Sequence, residues 1–333
     1  MKDTIYVVIP AYNVDKYLAI TFNSLLGQTY TDWVCLCMDD GSTDETFKVM
    51  QQFAEKDKRF KIFTQKNQGV TKTLNTLLDK VEGPYLYYLD SDDYIHPKTF
   101  ETLMYFMHKT NADVVECGIK RVYAENPEDN FDDFNVSDVS SMDIPDMNVF
   151  LTRKTQIGAW ANKVNKLYRW DAVKNVRFSE LLSYEEDYFY GMQINNLIKK
   201  KIIIEKLLYF YRLNPASMCH TLNTKRYQSA AINRVKLSYD YFIKGNRVPD
   251  KYLEDFKTDL ANDAYRMIVR KALKKCKDGK LRKELFVQGS KAFKDYIDNN
   301  VVEIKRLPFL KRLTALSYAH GLYFISRILV YIA

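Results

Sequence analysis

The ten residues PYLYYLDSDD, numbered 84–93 in this 333-residue chain, join an apolar run to a cluster of carboxylates. Residues 84–89 carry no charge and are rich in Tyr and Leu, which is typical of a strand buried on both faces. Three carboxylates, Asp90, Asp92 and Asp93, follow directly. Because open α/β sheets bind their ligands at the carboxyl ends of their strands, this stretch predicts a ligand-binding edge of such a sheet.

Strand-like and helix-like runs alternate around this stretch through the first 120 residues. Ser42, with Glu45 three residues later, forms a capping box, which predicts that a helix begins at Ser42. Apolar strands separated by helices predict a mostly parallel sheet with helices on both faces. We expect strands at 5–9, 33–38, 60–63, 84–89 and 112–122, and helices at 14–26, from Ser42, at 70–81 and from about Pro97.

The acidic segment 125–147 interrupts this alternation. It contains eight acidic residues and no basic one, so it cannot bury much surface, and it predicts a mobile surface loop. Beyond it, ordered structure is expected to resume at 160–169, followed by a helix at 184–200 and a strand at 202–212.

Charge is unevenly distributed along the chain. Residues 225–333 look helical and carry 24 Lys and Arg against 11 Asp and Glu, a net charge of +13, in a chain of formal net charge +8. Such a basic region predicts an anionic partner surface, either a membrane or nucleic acid. The five cysteines match no zinc or haem spacing and no signal peptide opens the chain, so we expect reduced thiols and a cytoplasmic location.

Two further acidic clusters accompany Asp90–Asp93. Asp39-Asp40-Gly41-Ser42 follows the strand 33–38, where a carboxylate can accept the ring N–H of a pyrimidine base. Glu185-Glu186-Asp187 lies near the start of the helix 184–200, where it either serves catalysis or simply complements the helix dipole. The packed carboxylates of residues 90–93 repel one another unless a cation lies among them, and Mg²⁺ and Mn²⁺ prefer such oxygen ligands.

An ordered series of motifs resembles glycosyltransferase family 2, whose members are inverting enzymes with the GT-A fold, a Rossmann-like domain around a twisted sheet. The series covers roughly residues 4–220. It comprises VIPAYN at 8–13, MDDGSTD at 38–44, Asn67-Gln68-Gly69, YLDSDD at 88–93, Lys166-Leu167-Tyr168, Glu186-Asp187, and Tyr209-Phe210-Tyr211-Arg212 with Ser217.

The resemblance implies a role for each matching residue. Asp92 is expected to bind the Mn²⁺ or Mg²⁺ ion that bridges the two phosphates of the donor, with His220 as a second ligand or as a structural residue. Asp187 is expected to be the general base. The residues implied to bind the nucleotide sugar are Pro10, Ala11, Tyr12, Asp39 or Asp40 (at the base), Asn67, Gly69, Asp90 (at the ribose or sugar), Ser91, Arg212 and Ser217.

The sequence departs from the family at one place. Where the family usually continues with Ala-Arg-Asn, this chain has Thr73-Leu74-Asn75, which leaves Lys72 as a candidate substitute for the missing arginine. The signature of processive polysaccharide synthases is absent from the sequence, so we expect one sugar to be added per encounter.

The expected function is therefore transfer of a single sugar, with a UDP sugar as the favoured donor, to a glycan or lipid-linked glycan of a surface polysaccharide. The expected GT-A domain spans 1–224, with a donor half at 1–122 and an acceptor half at 148–224, and 225–333 forms a basic helical region. A nucleotidyltransferase is disfavoured, because Pro10-Ala11-Tyr12-Asn13 stands where a glycine-rich phosphate loop is needed. A nucleic-acid-binding protein is disfavoured because no matching motif is present.

The apolar stretch 313–332 is about long enough to cross a bilayer, which takes around 20 residues. His320 and Arg327 interrupt it, so spanning is not expected. Two interpretations stay open: a helix packed on the protein or on a second copy in a homo-oligomer, and a segment that lies peripherally on the anionic inner face of the cytoplasmic membrane. The second is favoured.

Overall fold

The computed structural model describes residues 3–123, 131–144, 147, 162–182, 184–213, 224–270, 273 and 278–332. The chain divides into two compact units. The sheet unit comprises Met1–Met147, Ile157–Phe178 and Tyr190–Thr221, and the helical unit comprises Asn148–Gln156, Ser179–Phe189 and Leu222–Ala333.

A mixed sheet forms the centre of the sheet unit. Among the described residues it has nine strands, in the order β3-β2-β1-β4-β8-β6-β9-β5, with β7 paired to β9. The strands are β1 (Ile5–Ala11), β2 (Trp33–Asp39), β3 (Phe60–Thr64), β4 (Tyr85–Tyr88), β5 (Tyr94–Ile95), β6 (Val114–Val122), β7 (Ser141–Ile144), β8 (Lys166–Arg169) and β9 (Lys201–Arg212).

The parallel block β3-β2-β1-β4 contains the strands that precede the acidic clusters. Val7, Val8, Cys35 and Leu86 are buried in it, as continuous apolar runs require of strands covered on both faces. Strand β8 adds antiparallel pairing to β4 and β6, so the sheet is mixed rather than uniformly parallel. The predicted α/β class, with helices on both faces of the sheet, is confirmed.

Six α-helices of the described chain begin before residue 200, and most of them connect these strands. They are α1 (Asp15–Leu26), α2 (Thr46–Lys56), α3 (Val70–Leu78), α4 (Thr99–Thr110), the short α5 (Trp170–Val173) and α6 (Glu186–Leu197). Cys35, Cys37 and Cys117 are buried free thiols, as expected of reduced cysteines.

The predicted capping box at Ser42 is wrong, because α2 begins only at Thr46. The Ser42 hydroxyl instead accepts a hydrogen bond from Asn13 N at 2.9 Å, which ties the turn after β2 to the turn after β1. Asp44 Oδ1 accepts from Thr46 N at 3.0 Å, so Asp44 satisfies the start of the helix in place of Ser42.

The acidic segment is more ordered than predicted where the structure describes it. Residues 141–144 form β7, which pairs with β9, and the charges of Asp132 and Asp133 are paired with Lys206 and Lys98. The Phe131 ring packs edge-on against His96 with 4.9 Å between ring centroids. Ion pairs and aromatic contacts with the rest of the sheet unit therefore replace the core that this segment lacks.

The helical unit is built mainly from residues beyond 224, as the sequence predicted. Its core buries apolar side chains from five α-helices and from the π-helical turn Tyr265–Arg270, with Ile268, Phe293, Ala315, Tyr318 and Val330 fully enclosed. No helix among the described residues is long and apolar enough to cross a membrane. The elements are α7 (Thr224–Ser238), a π-helical turn (Tyr239–Lys244), α8 (Asp250–Ala264), a second π-helical turn (Tyr265–Arg270), α9 (Gly279–Asp298), α10 (Phe309–Ala319) and α11 (Tyr323–Ile332).

Candidate functional site

Two buried carboxylates organise the edge of the sheet at the end of β2. Asp39 Oδ1 accepts a hydrogen bond from Ser42 N and Asp39 Oδ2 accepts one from the Thr64 hydroxyl, both at 3.1 Å. Asp40 Oδ1 accepts from Gln68 N at 2.9 Å and Asp40 Oδ2 accepts from Gly69 N at 2.8 Å. The carboxylate of Asp40 therefore holds the loop of residues 67–69, which the sequence also assigned to the site, against the end of β2.

Gly41 allows this loop to approach closely. Its φ is +74°, and a Cβ placed on it would lie 2.7 Å from Asn67 N. Any side chain would therefore collide with the backbone of the loop, in addition to the strain of a left-handed conformation. Gly69 is also left-handed, with φ +89°, directly before α3.

The end of β1 joins the same cluster. Asp40 N donates to Ala11 O at 2.8 Å, and Thr43 N donates to Asn13 Oδ1 at 2.8 Å. Ala11 is buried, whereas Tyr12 is half exposed, so the Tyr12 ring is available to a ligand. Pro10 is partly exposed beside them.

The four residues after Leu89 do not share one environment. Asp93 is fully buried, and its carboxylate accepts from the Tyr209 hydroxyl at 2.6 Å and from Arg212 N at 2.8 Å. Burial, followed by the nearby charges of Asp90 and Asp92, raises the pKa of Asp93 well above its usual range. Asp93 therefore anchors this loop to β9, while Asp90 and Asp92 stay partly exposed.

A buried lysine lies against Asp90. Lys163 Nζ is 2.9 Å from Asp90 Oδ1, and the exposed fractions of the two side chains are 6% and 30%. Lys163 was not expected at the site, because nothing in its spacing connects it with residue 90. The cation that the packed carboxylates require is thus supplied at least in part by the protein itself.

The turn that carries Lys163 is held by the residues that follow it. The Tyr168 hydroxyl donates to Lys163 O at 2.9 Å, and Lys166 Nζ donates to Val164 O at 3.2 Å and to Asn162 O at 3.1 Å. Lys166 is itself buried with Glu116, whose carboxylate lies 2.6 Å from Lys201 Nζ. The Lys166-Leu167-Tyr168 motif therefore acts as a scaffold for the turn of Lys163.

Arg212 packs beside the same loop. Its Nε donates to Asp92 O at 2.8 Å, and its guanidinium lies 5.1 Å from the ring centroid of Tyr17. Ser91 is buried, and its carbonyl accepts from the Thr21 hydroxyl at 3.0 Å. Arg212 thus contacts the acidic loop (residues 90–93), of which Ser91 is a buried member, whereas Ser217 and His220 lie outside the described residues.

The carboxylates of this site suit a divalent metal that also takes ligands from the substrate and from water. The described residues contain no group of three or more His, Cys, Asp or Glu side chains that would hold a metal without other ligands. Mg²⁺ and Mn²⁺ often use one or two carboxylates together with substrate phosphates and waters. Asp92, a partly exposed carboxylate at the loop, fits that use.

The third acidic cluster lies in the helical unit. Glu185 precedes α6 with φ +58°, and Glu186 and Asp187 form the first turn of this helix, where carboxylates favour the dipole. All three side chains are partly exposed.

The position of the missing arginine is closed to a ligand. Leu74 is fully buried within α3, whereas Lys72 on the same helix is exposed. Asn75, which the family motif shares, exchanges two hydrogen bonds of 2.9 Å with the backbone of Phe178. The candidates for the cation that replaces the family's arginine are therefore Lys72 and Lys163.

A parallel block of strands with buried and partly exposed carboxylates at its carboxyl edge defines a Rossmann-like fold, which binds its ligands at that edge. The family model described as glycosyl transferase family 2 matches residues 6–167. Glycosyltransferase GlyG of Streptococcus pneumoniae is 30% identical over 66% of this chain and 74% of its own length. The chain belongs to glycosyl transferase family 2, which confirms the resemblance.

Two further comparisons concern the share of a longer relative that this chain spans and the fold of the chain. Glycosyltransferase GlyA of S. pneumoniae is 28% identical over 68% of this chain, but the chain spans only 33% of the length of GlyA. The crystal structure of Staphylococcus aureus TarS residues 1–349 in complex with UDP-GlcNAc matches 98% of this chain and 90% of its own, with a TM-score of 0.72 and 19% identity. At that identity the likeness to TarS shows the fold alone.

Proposed function

We propose that this chain is an inverting glycosyltransferase that moves one sugar from a UDP sugar onto a hydroxyl of a glycan or lipid-linked glycan. The observation that carries the proposal is the arrangement of Asp39, Asp40 and the 67–69 loop beside the acidic loop after β4. TarS, which shares the fold, has been crystallised with UDP-GlcNAc, in keeping with the UDP donor expected from the sequence, and the transferred sugar is a hexose or an N-acetylhexosamine. The GT-A domain expected at residues 1–224 stays a prediction, and it includes Asn148–Gln156 and Ser179–Phe189, which group with the helical unit.

The donor lies at the edge formed by β1, β2 and β4 in this proposal. Asp39 or Asp40 accepts the ring N–H of the base, and Tyr12 covers the base. Asp90 binds the ribose or the sugar, and Lys163 balances the charge that the diphosphate brings. A Mn²⁺ or Mg²⁺ ion held by Asp92 would act as a Lewis acid on the leaving diphosphate, with His220 either as a second ligand or as a structural residue.

The chemical step is a single displacement. The acceptor oxygen forms a bond to the anomeric carbon as the bond from this carbon to the diphosphate oxygen breaks. The acceptor proton passes to the carboxylate of Asp187, and the nucleoside diphosphate leaves. Attack on the face opposite the leaving group inverts the anomeric centre.

A panel of nucleotide sugars tests this proposal. We expect thermal stabilisation by UDP and by one UDP sugar in the presence of Mn²⁺, and release of UDP when a glycan acceptor is added. Equal stabilisation by all nucleoside triphosphates, with pyrophosphate release in place of UDP release, would overturn it in favour of a nucleotidyltransferase.

We also propose that the protein binds peripherally to the anionic cytoplasmic face of a membrane through its last helix. The outward face of α11 is apolar and exposed, whereas Ser326 and Val330 on the opposite face are fully buried. Residues 304–333 include five Lys and Arg and no Asp or Glu. Each basic residue near an anionic surface adds about 1 kcal/mol of attraction. The exposed face comprises Phe324, Ile325, Ile328, Tyr331 and Ile332.

Vesicle binding distinguishes a membrane from other partners of this face. We expect binding to vesicles with phosphatidylglycerol at low salt, release at high salt, and loss of binding in Phe324→Ser/Ile328→Ser. Val287→Ser, which alters an exposed apolar residue on α9, is the matched control. Failure to bind anionic vesicles, or a dimer that Ile328→Ser dissociates, would overturn the membrane proposal.

A further inference from the structure

Glu185 is held in a conformation that a glycine would adopt more easily. Its φ of +58° lies in the left-handed region, where a side chain is strained. Glu185 stands immediately before α6, whose first turn carries Glu186 and Asp187. Strain of this kind persists only where surrounding contacts determine the conformation.

Two side chains from α7 supply these contacts. The Tyr227 hydroxyl donates to Glu185 Oε1 at 3.0 Å, and Arg234 Nε lies 3.0 Å from Glu185 Oε2. Both oxygens of the carboxylate are therefore engaged by one helix of the region beyond residue 224. The contacts lie entirely within the helical unit.

Arg234 is itself fixed from other directions. Its side chain is 2% exposed, and Nη2 donates to Asp263 Oδ2 on α8 at 2.9 Å. Its guanidinium lies 4.1 Å from the ring centroid of Tyr188, in the first turn of α6. The nearby carboxylates of Asp263 and Glu185 raise the pKa of Arg234 despite its burial, so the cation is permanent. The planar guanidinium can reach these groups at the same time, which a lysine ammonium cannot do.

We propose that Arg234 is a positioning residue that clamps Glu185 and thereby orients the first turn of α6 and its Asp187. The inference rests on the proposed role of Asp187 as the general base. It assigns to the helical region a direct part in setting up catalysis, because α7 and α8 hold the residue from which α6 begins. A small rotation of this turn would move the Asp187 carboxylate, and misplacement of a general base lowers the rate of the chemical step.

Glu185 variants carry the test, because loss of Arg234 would leave Asp263 buried without its cation and endanger folding. We expect Glu185→Gly to relieve the backbone strain and remove the clamp, so that kcat falls at least about tenfold while the melting temperature and the donor Kd change little. Glu185→Gln keeps an acceptor for Tyr227 and should give an intermediate kcat. Lys236→Gln is the matched control and should keep full activity, because it removes only an exposed ion pair between Lys236 on α7 and Asp240 in the following π-helical turn.

The measurements separate the clamp from the proposed function. Wild-type protein that transfers no sugar contradicts the proposed function. Wild-type activity together with an unchanged kcat in Glu185→Gly contradicts the clamp alone. A fall in kcat accompanied by a weaker donor Kd and a lower melting temperature would also contradict the clamp, because it would indicate a general structural role.

Discussion

Lys163 Nζ lies 2.9 Å from Asp90 Oδ1, which places a buried ammonium group against the first carboxylate of the acidic loop. Removal of this cation in Lys163→Met leaves Asp90 with more uncompensated negative charge where the donor diphosphate must bind. We expect the donor Kd to rise about tenfold or more, as loss of one charge-assisted hydrogen bond implies. Isothermal titration calorimetry with UDP, the nucleoside diphosphate part of the donor, measures this change in Kd.

Lys48→Gln is the control for Lys163→Met, because Lys48 forms an exposed ion pair with Glu45 elsewhere in the sheet unit. An unchanged donor Kd in Lys163→Met would show that Lys163 only stabilises the turn.

The metal prediction concerns Asp92. Asp92→Asn keeps the shape of the side chain but removes the charge that a divalent cation needs, so activity should be lost while the melting temperature is retained. EDTA should have the same effect on the wild-type protein, and added Mn²⁺ or Mg²⁺ should reverse it. Full turnover in EDTA would contradict a metal role.

Asp187→Asn tests the base. A positioned general base contributes roughly 10²–10⁴-fold in rate, so kcat should fall by that order with the donor Kd unchanged. Glu186→Gln, one residue away in the same helical turn, should retain most of its activity. If Glu186→Gln is inactive and Asp187→Asn is active, the general base is Glu186 and not Asp187.

We predict that the folded protein loses stability in acid as His96 becomes protonated. Burial lowers the pKa of His96, whose Nε2 donates to Asp132 O at 3.1 Å and whose Nδ1 accepts from Lys98 N at 3.0 Å. The neutral ring is therefore favoured in the folded state. Its contribution to stability is present above the unfolded pKa of about 6.5 and is lost as the pH falls through the lowered folded pKa.

Melting temperatures at pH 7.5 and pH 5 measure this effect. His96→Asn keeps an acceptor for Lys98 N and cannot titrate, so its melting temperature should fall less between the two pH values than that of the wild-type protein. His108→Asn, at an exposed histidine, should behave as the wild type. An equal acid loss in His96→Asn would assign the effect to other groups.

Gly41→Ala should weaken the site and the fold together. The new Cβ would lie 2.7 Å from Asn67 N, and the left-handed φ adds about 1–2 kcal/mol of strain. We expect a lower free energy of unfolding and a weaker donor Kd, because the 67–69 loop has to move. Gly279→Ala is the control, since a Cβ there meets nothing within 4 Å.

The core strands could be predicted because each one coincides with a continuous apolar run in the sequence. Strands β1, β2 and β4 were expected at 5–9, 33–38 and 84–89 and are found at Ile5–Ala11, Trp33–Asp39 and Tyr85–Tyr88. Strands β5 and β7 were missed, because these short segments become strands only by pairing with β9. The capping box at Ser42 failed for a related reason: its hydroxyl is used by the backbone of Asn13.

The α/β class, the family and the carboxylates that follow β2 and β4 could be predicted from the sequence, because each of them is indicated by motifs of a few neighbouring residues. Three contacts are visible only in the folded chain: Asp93 with Tyr209, Asp90 with the ammonium group of Lys163, and Glu185 with Arg234. Each of these contacts joins residues far apart in the chain, and burial determines which carboxylates remain available to a ligand. A local pattern contains neither the partner nor the burial, so only the folded chain assigns each carboxylate its role.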